Sequence, residues 1–163
     1  MLHKTFMVLL GTILIFGLLN TTQTSTIVDT YKLVPNVDQN QLNCLAQNVY
    51  YEASTESFEG KLAVAQVTLN RVNSGKFGKT ICKTVYQKTN RTCQFSWVCL
   101  NKNRVMRYDS KEFMASKEAA YRIFVSGYRI KKLEDALYYH AVYVNPRWNK
   151  KVTAKIGRHI FYA

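Results

Sequence analysis

Two glutamates four positions apart are the residues of this sequence best suited to acid–base chemistry. Glu52 and Glu56 stand at either end of the short polar segment E-A-S-T-E. A carboxylic acid that stays protonated near neutral pH can donate its proton to a leaving oxygen, as cleavage of a glycosidic bond requires. Whether either glutamate can do this depends on the elements that position it.

Glu52 falls at the end of a predicted amphipathic helix. Asp38, followed three residues later by Gln41, is the pattern of a capping box and predicts the helix start. Glu52 lies one heptad after Leu45, and so within about 20° of it on the same stripe. Burial, the negative helix end and repulsion from an ionised Glu56 would all raise the pKa of Glu52. The alternative is that Glu52 already reaches solvent. The apolar stripe comprises Leu42, Leu45, Ala46 and Val49.

A second helix is predicted from Phe58 to Asn73, and it is apolar on nearly every face. Such a helix is expected at the centre of the domain. Gly60 near its start predicts a close backbone approach, and Ser74-Gly75 predicts its end. Asn70 and Arg71, polar residues at the end of a core helix, are expected to make structural hydrogen bonds.

The chain then changes character several times. A short element is predicted over 80–87, and the alternation of Phe95 and Trp97 with Gln94, Ser96 and Val98 favours a strand. A third helix is predicted to begin at Asp109, with Glu112 in capping-box register, and to end at Gly127. Two strand-like segments follow, A-L-Y-Y-H-A-V-Y-V and K-I-G-R-H-I-F-Y-A, and the segment N-P-R-W separates them.

The first residues are typical of a targeting segment. His3 and Lys4 precede an apolar run of 14 residues from Phe6 to Leu19, which is short for a membrane span and close to a signal-peptide core. We therefore expect an exported protein in the periplasm or cell envelope, with residues 1–25 as signal peptide or inner-membrane anchor. Residues 26–36 are then a linker, and 37–163 form one catalytic domain.

Four cysteines, an even number in a chain with an export signal, predict disulfides. They are Cys44, Cys82, Cys93 and Cys99, and all three pairings are open. A Cys93–Cys99 bridge would close a tight loop and leave Cys44 to join Cys82. A zinc site is the weaker alternative, because no C-x-x-C occurs and the three histidines lie far from the cysteines in sequence.

The charge is concentrated in the second part of the chain. Residues 1–70 carry 3 Lys+Arg and 5 Asp+Glu, a net charge of −2, whereas 71–163 carry 20 and 5, a net charge of +15. This balance predicts an anionic partner, or a basic face that only aids solubility. No nucleic-acid-binding pattern is present, and an exported chain meets anionic envelope surfaces first. We therefore expect an envelope partner and no specific nucleic acid.

The segment around the two glutamates resembles the bacterial and phage cell-wall hydrolases related to spore cortex-lytic enzymes. Their pattern, E-A-x-x-E-x-x-x-G-x-x-A-V-A-x-V-x-x-N-R, is matched from Glu52 to Arg71. The resemblance continues through Tyr138-Tyr139-His140 and the P-x-W turn ending at Trp148 to a terminal I-G-x-H-x-F-Y. The sequence departs from the family at Ser54-Thr55, where relatives commonly carry Arg-Gly.

The resemblance implies an α+β, lysozyme-like domain with a helical core and a small antiparallel sheet. It implies cleavage of peptidoglycan glycan strands between N-acetylmuramic acid and N-acetylglucosamine without a metal or cofactor. We expect the protein to be a monomer. Glu52 would be the catalytic acid and base, with Glu56 a second acidic residue of the cleft. The candidate substrate contacts are Gln94, Phe95, Ser96, Trp97, Tyr139, His140 and Trp148, although Phe95 and Trp97 could equally be a core pair beside a disulfide.

Alternative functions follow from the same residues. A lytic transglycosylase would use the carboxylate of Glu52 to form a 1,6-anhydro product, whereas a muramidase would use it to activate water. A basic, non-catalytic envelope-binding protein would keep the fold without the reaction. A membrane-anchored accessory protein would instead bind nucleic acid or acidic lipid.

Overall fold

The computed structural model describes residues 36–90, 92–100 and 106–163. Within it, Val37–Ala163 form one compact unit. The predicted signal segment lies outside the described residues, as does all of the predicted linker except Asn36, so these boundaries stay predictions. Within the described residues, no helix has the length and hydropathy needed to cross a membrane.

Helix α1 spans Gln39–Ala53 and begins where the sequence predicts. Asp38 Oδ1 accepts hydrogen bonds from the backbone N–H of Asn40 at 3.0 Å and of Gln41 at 3.2 Å. The capping-box prediction is wrong for Gln41, because its side chain accepts instead from the N–H of Cys82 at 2.9 Å. The predicted apolar stripe is confirmed, since all four of its residues are fully buried.

Helix α2 spans Phe58–Asn73, the predicted range, and residues 60–69 are buried without interruption. Ser57 Oγ caps the helix by accepting from the N–H of Gly60 at 3.2 Å. A Cβ at Gly60 would lie 2.9 Å from Glu56 Cβ, so the group that approaches this glycine closely is the Glu56 side chain and not the predicted backbone. After the helix, Gly75 has a φ of +69°, in the region that favours glycine.

Two short helices follow, and two disulfides hold them. Helix α3 spans Ile81–Val85, and the Cys44–Cys82 disulfide joins it to α1. Helix α4 spans Ser96–Leu100, directly after Phe95, and a Cys93–Cys99 disulfide closes this segment. The predicted strand here is therefore wrong, because three alternating residues do not distinguish a strand from the first turn of a short helix.

Helix α5 spans Lys111–Phe124 and packs against α1 and α2. Its cap is Ser110, whose Oγ accepts from the N–H of Phe113 at 3.2 Å. The predicted Asp109 cap is therefore wrong by one residue, because the hydroxyl of Ser110 occupies the capping position. The end near Gly127 is confirmed by its φ of +72°.

An antiparallel sheet completes the domain in the strand order β1-β3-β2. The strands are β1, Tyr138–Ala141; β2, Val152–Ile156; and β3, His159–Tyr162. A short 3-10 helix, Lys131–Leu133, precedes β1. The last segment was predicted as one strand, and this is wrong: Gly157, with a φ of +55°, turns the chain and makes it a hairpin. The predicted α+β class, a helical core with a small antiparallel sheet, is confirmed.

Candidate active site

Glu52 lies in the last turn of α1, at the end of the buried stripe. The hydroxyl of Tyr139 donates a hydrogen bond to Glu52 Oε2 at 3.0 Å. Its other carboxyl oxygen makes no hydrogen bond within the described part of the chain. Burial raises the pKa of Glu52, and although the Tyr139 hydrogen bond and the charge of Arg71 lower it, the pKa stays above its usual value. This is the direction predicted from the helix pattern.

Tyr139 comes from β1, and its ring packs 5.6 Å from that of Phe161 and 5.2 Å from that of His159. Burial and the neighbouring Glu52 carboxylate hold the pKa of Tyr139 well above its usual range. The phenol therefore stays neutral and keeps its proton for Glu52. A neutral donor of this kind stabilises the carboxylate form of Glu52 without removing the acid.

Arg71 brings a positive charge to the same site from the end of α2. Its Nε donates to the carbonyl of Leu137 at 2.7 Å, directly before β1. Its Nη1 is buried and has no hydrogen-bond partner among the described residues. Burial lowers the pKa of Arg71, and the neighbouring Tyr139 and Glu52 side chains oppose this. The guanidinium lies over three rings, those of Phe77 at 5.3 Å, Phe95 at 5.0 Å and Tyr139 at 5.7 Å.

Sequence reasoning gave Arg71 a structural part and missed its electrostatic one. The available signal was its place at the end of the family pattern. The structural part is confirmed for its neighbour Asn70, whose Nδ2 donates to the carbonyls of Leu133 at 2.8 Å and Ala136 at 3.0 Å. The end of α2 therefore holds the segment that leads into β1.

Glu56 is engaged differently from Glu52. Its carboxylate accepts from Arg158 Nε at 2.7 Å and from the Arg158 N–H at 2.9 Å. Its side chain is only 5% exposed. Burial would raise the pKa of Glu56, but the two hydrogen bonds and the charge of Arg158 hold it below its usual value. Glu56 is thus an ionised anchor of the β2–β3 turn, and a Cβ at Gly157 would collide with its Oε2.

The turn that departs from the family pattern is held by two cations. Lys61 Nζ donates to the carbonyls of Ser54 at 2.9 Å and Glu56 at 2.6 Å. Arg158 Nη2 also donates to Thr55 Oγ1. The end of α1, which carries Glu52, is therefore fixed on both sides.

Trp97 is the member of the predicted 94–97 contact group that stands beside this helix. Its ring stacks on Tyr51 with centroids 4.3 Å apart, and its Nε1 donates to the buried Asn48 Oδ1 at 2.9 Å. Tyr86 meets the Trp97 ring edge-on at 5.8 Å. These three aromatic residues, Tyr51, Tyr86 and Trp97, form what we call the aromatic ledge.

The other three residues of that group lie in different environments. Phe95 is 3% exposed beneath Arg71 and belongs to the core. Gln94 is half-buried, and its N–H donates to the carbonyl of Gln87 at 2.9 Å. Ser96 is exposed at the start of α4.

His140 and Trp148 are not brought together with Glu52. Neighbouring residues of a strand point to opposite faces, so His140 lies across the sheet from Tyr139. His140 Nδ1 donates to the carbonyl of Ala141 at 2.9 Å, and Nε2 accepts from the Tyr162 hydroxyl at 2.7 Å. The Trp148 ring lies 5.5 Å from His140, 5.6 Å from Tyr162 and 6.1 Å from Tyr138.

Comparison of the sequence with known protein families identifies a match. The sequence model described as "Cell Wall Hydrolase" matches residues 55–162, well over half of the chain. The chain belongs to the cell wall hydrolase family. This confirms the resemblance and, at the level of the family, the predicted enzyme class. The match begins after Glu52, so the role of that residue depends on the geometry above and on the family pattern read in the sequence.

Individual relatives of this cell wall hydrolase are spore cortex-lytic enzymes. That of Bacillus subtilis is 30% identical over 132 residues, which cover 75% of this chain and 37% of that enzyme. That of Bacillus cereus is 30% identical over 139 residues, or 78% of this chain and 46% of that enzyme. The hydrolase therefore spans less than half the length of these two curated relatives.

Two solved structures are similar over most of the chain. The catalytic domain of the germination-specific lytic transglycosylase SleB from Bacillus anthracis is 28% identical, with a TM-score of 0.61 over 80% of this chain and 100% of that one. The catalytic domain of the Bacillus cereus SleB protein is 29% identical, with a TM-score of 0.59 over 80% and 95%. The predicted lysozyme-like fold class is confirmed by this likeness.

His159 is a further residue of this hydrolase that the site predictions omitted. It lies on the Tyr139 face of the sheet and is 8% exposed, and its Nδ1 has no hydrogen-bond partner in the described ranges. Burial lowers the pKa of His159, and the nearby Glu56 carboxylate opposes this. Its place in the terminal I-G-x-H motif was the signal. Among the described residues, no cluster of three His, Cys, Asp or Glu side chains could hold a metal ion.

Proposed function

We propose that this chain cleaves the glycan strands of peptidoglycan between N-acetylmuramic acid and N-acetylglucosamine, with Glu52 as general acid and base. The observation that carries the proposal is the carboxyl of Glu52, whose pKa burial raises and which lies beside a neutral phenol and a buried guanidinium. The family and the solved relatives, one of them a lytic transglycosylase, support this reaction class.

In the first step, Glu52 gives its proton to the glycosidic oxygen, and the bond from that oxygen to muramoyl C1 breaks. The leaving sugar departs with a hydroxyl group, and positive charge develops at C1. The proton donor becomes a carboxylate, which the Tyr139 hydroxyl and the charge of Arg71 stabilise. Both groups are in place before the reaction, so little reorganisation is needed when the charge appears.

In the second step, the Glu52 carboxylate takes the proton of the muramoyl 6-hydroxyl while that oxygen attacks C1. The product is a 1,6-anhydro sugar, and Glu52 is protonated again. The state of Glu56 favours this route over water-based hydrolysis. A hydrolase with two carboxylates uses a second free one to act as nucleophile or to activate water, and Glu56 is paired with Arg158.

Substrate contact is assigned to the aromatic ledge and the residues beside it. Trp97 is held in one orientation by Asn48 and Tyr51, so it can accept a sugar ring without further ordering. Gln94 and Ser96, the neighbours of Phe95 in sequence, supply polar groups at the edge of the aromatic ledge. Tyr139 acts on the reacting bond indirectly, through its hydrogen bond to Glu52. Glu56 acts by fixing the turn after α1.

The proposed place of action is the cell envelope, where an exported monomer meets its polymer substrate. The +15 net charge of residues 71–163 would concentrate the protein on the anionic wall. Binding to purified sacculi should then weaken as salt is raised, because the screening length falls to about 8 Å at physiological ionic strength. If salt does not change the binding, the positive charge only aids solubility.

The products of digested sacculi test the reaction most completely. We expect mass spectrometry to detect anhydromuropeptides after treatment with the wild-type chain. Products with reducing ends would show that the same bond is cleaved by hydrolysis, so the enzyme would be a muramidase and not a lytic transglycosylase. Binding to sacculi without any soluble product would show a non-catalytic envelope-binding protein.

A further inference from the structure

The loop between β1 and β2, with the first residue of β2, carries more than half of the large apolar side chains that are exposed among the described residues. Nine large apolar side chains are exposed among the described residues, and five of them lie between positions 142 and 152. Tyr143 is 86% exposed and Trp148 40%. The five are Val142, Tyr143, Val144, Trp148 and Val152; together with Arg147 and Lys151 we call them the β1–β2 loop surface.

The same part of the chain carries positive charge without any acidic side chain. Residues 136–163 contain five Lys or Arg and no Asp or Glu. Arg158 is paired with Glu56. Arg147 and Lys151 are exposed and form no ion pair within the described ranges. The loop surface is therefore both apolar and cationic.

This surface is built on a fixed base. The backbone N–H of Val142 donates to the carbonyl of Arg158 at 2.8 Å, and that of Val144 to the carbonyl of Ala141 at 2.8 Å. Trp148 packs edge-on against the His140 and Tyr162 rings. Because His140 and Tyr139 point to opposite faces of β1, the base lies across the sheet from the phenol that contacts Glu52.

We propose that the β1–β2 loop surface docks on an anionic phospholipid surface. Aromatic and aliphatic side chains beside unpaired cations are the combination that binds at the boundary between headgroups and acyl chains. Anionic headgroups neutralise Arg147 and Lys151 while Tyr143 and the valines enter the interface.

Two other occupants fit the surface less well. A neutral glycan could stack on Trp148 but would leave the cations unmatched. A second copy of this chain, related by two-fold symmetry, would bring the same unpaired cations of both copies into one interface, where like charges repel. The charge pattern therefore favours an anionic surface, and the exposed apolar side chains favour lipid over the anionic wall polymer. Docking through this face leaves the Glu52 side of the sheet free for the glycan.

Trp148 provides a local probe of this contact in the full chain. The chain has two tryptophans, so Trp97→Phe leaves Trp148 as the sole tryptophan, and Trp97→Tyr serves if that variant does not fold. Its fluorescence is measured on phosphatidylglycerol vesicles that contain acyl-brominated lipid, and on neutral phosphatidylcholine vesicles with the same bromine content. A local probe is needed because the apolar segment 6–19 could bind vesicles by itself.

We expect bromine to quench Trp148 on the anionic vesicles and not on the neutral ones. Arg147→Glu with Lys151→Glu should weaken the contact by about 30-fold or more, since each cation near an anionic surface contributes a factor of about five. The matched pair Arg107→Glu with Lys111→Glu, an exposed Arg and Lys at the start of α5 with the same four-residue spacing, changes net charge equally and should leave quenching intact. Tyr143→Ser should reduce it, and Tyr128→Ser should not.

Each contrary result overturns the proposal. Equal quenching on neutral vesicles, or quenching that survives the Arg147 and Lys151 reversals, would show that anionic lipid is not recognised. Vesicle-bound protein with an unquenched Trp148 would place the contact elsewhere in the chain. A Trp148 response to soluble glycan fragments or to protein concentration, in place of vesicles, would identify a glycan or a second copy as the occupant.

Discussion

The hydroxyl of Tyr139 donates a 3.0 Å hydrogen bond to Glu52, 87 residues earlier in the chain. This bond joins the end of α1 to the first strand of the sheet. It opposes the effect of burial, which raises the pKa of Glu52. The pKa of Glu52 is therefore raised by burial and lowered by the Tyr139 hydrogen bond, and substitutions can separate these two contributions.

Replacing Tyr139 with Phe should move the alkaline limb of the pH–rate profile to higher pH. The lost hydrogen bond favoured the carboxylate, so its removal raises the pKa of Glu52 further. The turnover rate at the optimum should fall roughly 10- to 100-fold, since a hydrogen bond to a charged group contributes about 1.5–3 kcal/mol. Tyr128→Phe, at an exposed tyrosine, is the control. An alkaline limb at the same pH as in the wild type would show that Tyr139 does not set the pKa of Glu52.

Replacing Glu52 with Gln should stabilise the fold at neutral pH. The folded state binds the Glu52 proton more tightly than the unfolded chain does, so this residue costs stability as pH rises above its unfolded pKa of about 4.3. The cost is complete above the raised folded pKa and absent below the unfolded one. Thermal unfolding should therefore show a higher Tm for Glu52→Gln near pH 7, each 1 kcal/mol giving roughly 3–6 °C. The two proteins should converge in acid, and a Gln variant less stable at pH 7 would contradict the burial argument.

Replacing Gly157 with Ala should cost more stability than the same change at Gly75. Both glycines have positive φ, so both changes incur backbone strain of about 1–2 kcal/mol. At Gly75 no atom lies within 4 Å of the added Cβ, whereas at Gly157 it displaces the Glu56 carboxylate from Arg158. The extra cost should be about 1–3 kcal/mol in denaturant unfolding, the usual effect of leaving a buried polar group unsatisfied. Equal losses would mean that the Glu56 anchor contributes little.

The two disulfides should separate stability from substrate affinity. Removing Cys44–Cys82, which spans 38 residues, should cost about 4 kcal/mol by the loop-entropy relation, and removing Cys93–Cys99 about 2 kcal/mol. The second bridge encloses Trp97, so its double Ser variant should raise KM for glycan fragments more than the first does. The purified protein should contain no free thiol. Four titratable thiols, or an unchanged KM, would contradict this.

The helical part of the fold could be predicted from the sequence because its signals are local. The run after Ser57, apolar on nearly every face, predicted the observed bounds of α2. The heptad from Leu45 to Glu52 predicted the burial that raises the pKa of Glu52. The same local patterns failed at Phe95 and Trp97, where three alternating residues mimic a strand. They failed again at Gly157, because one glycine inside an apolar run hides a hairpin.

The contacts that complete the site are long-range, and no local pattern encodes them. Glu56 and Arg158 are 102 residues apart, and the two acidic residues look alike in sequence. Only the folded chain shows that one meets an arginine and the other a phenol. The family pattern predicts His140 and Trp148 as substrate contacts together with Tyr139. Strand alternation puts His140 on the opposite face, and Trp148 packs against His140 there.

The release of muropeptides from purified sacculi by Glu52→Gln, compared with the wild-type chain, tests the central claim most directly. The substitution keeps the size and hydrogen bonding of the side chain but removes the proton, and general acid–base assistance contributes about 10²- to 10⁴-fold. We expect a folded protein that binds sacculi and releases muropeptides at least about 100-fold more slowly. Glu59→Gln, at an exposed glutamate of α2, should release them at the wild-type rate. Release by Glu52→Gln at close to the wild-type rate would contradict the assignment of Glu52 as the acid.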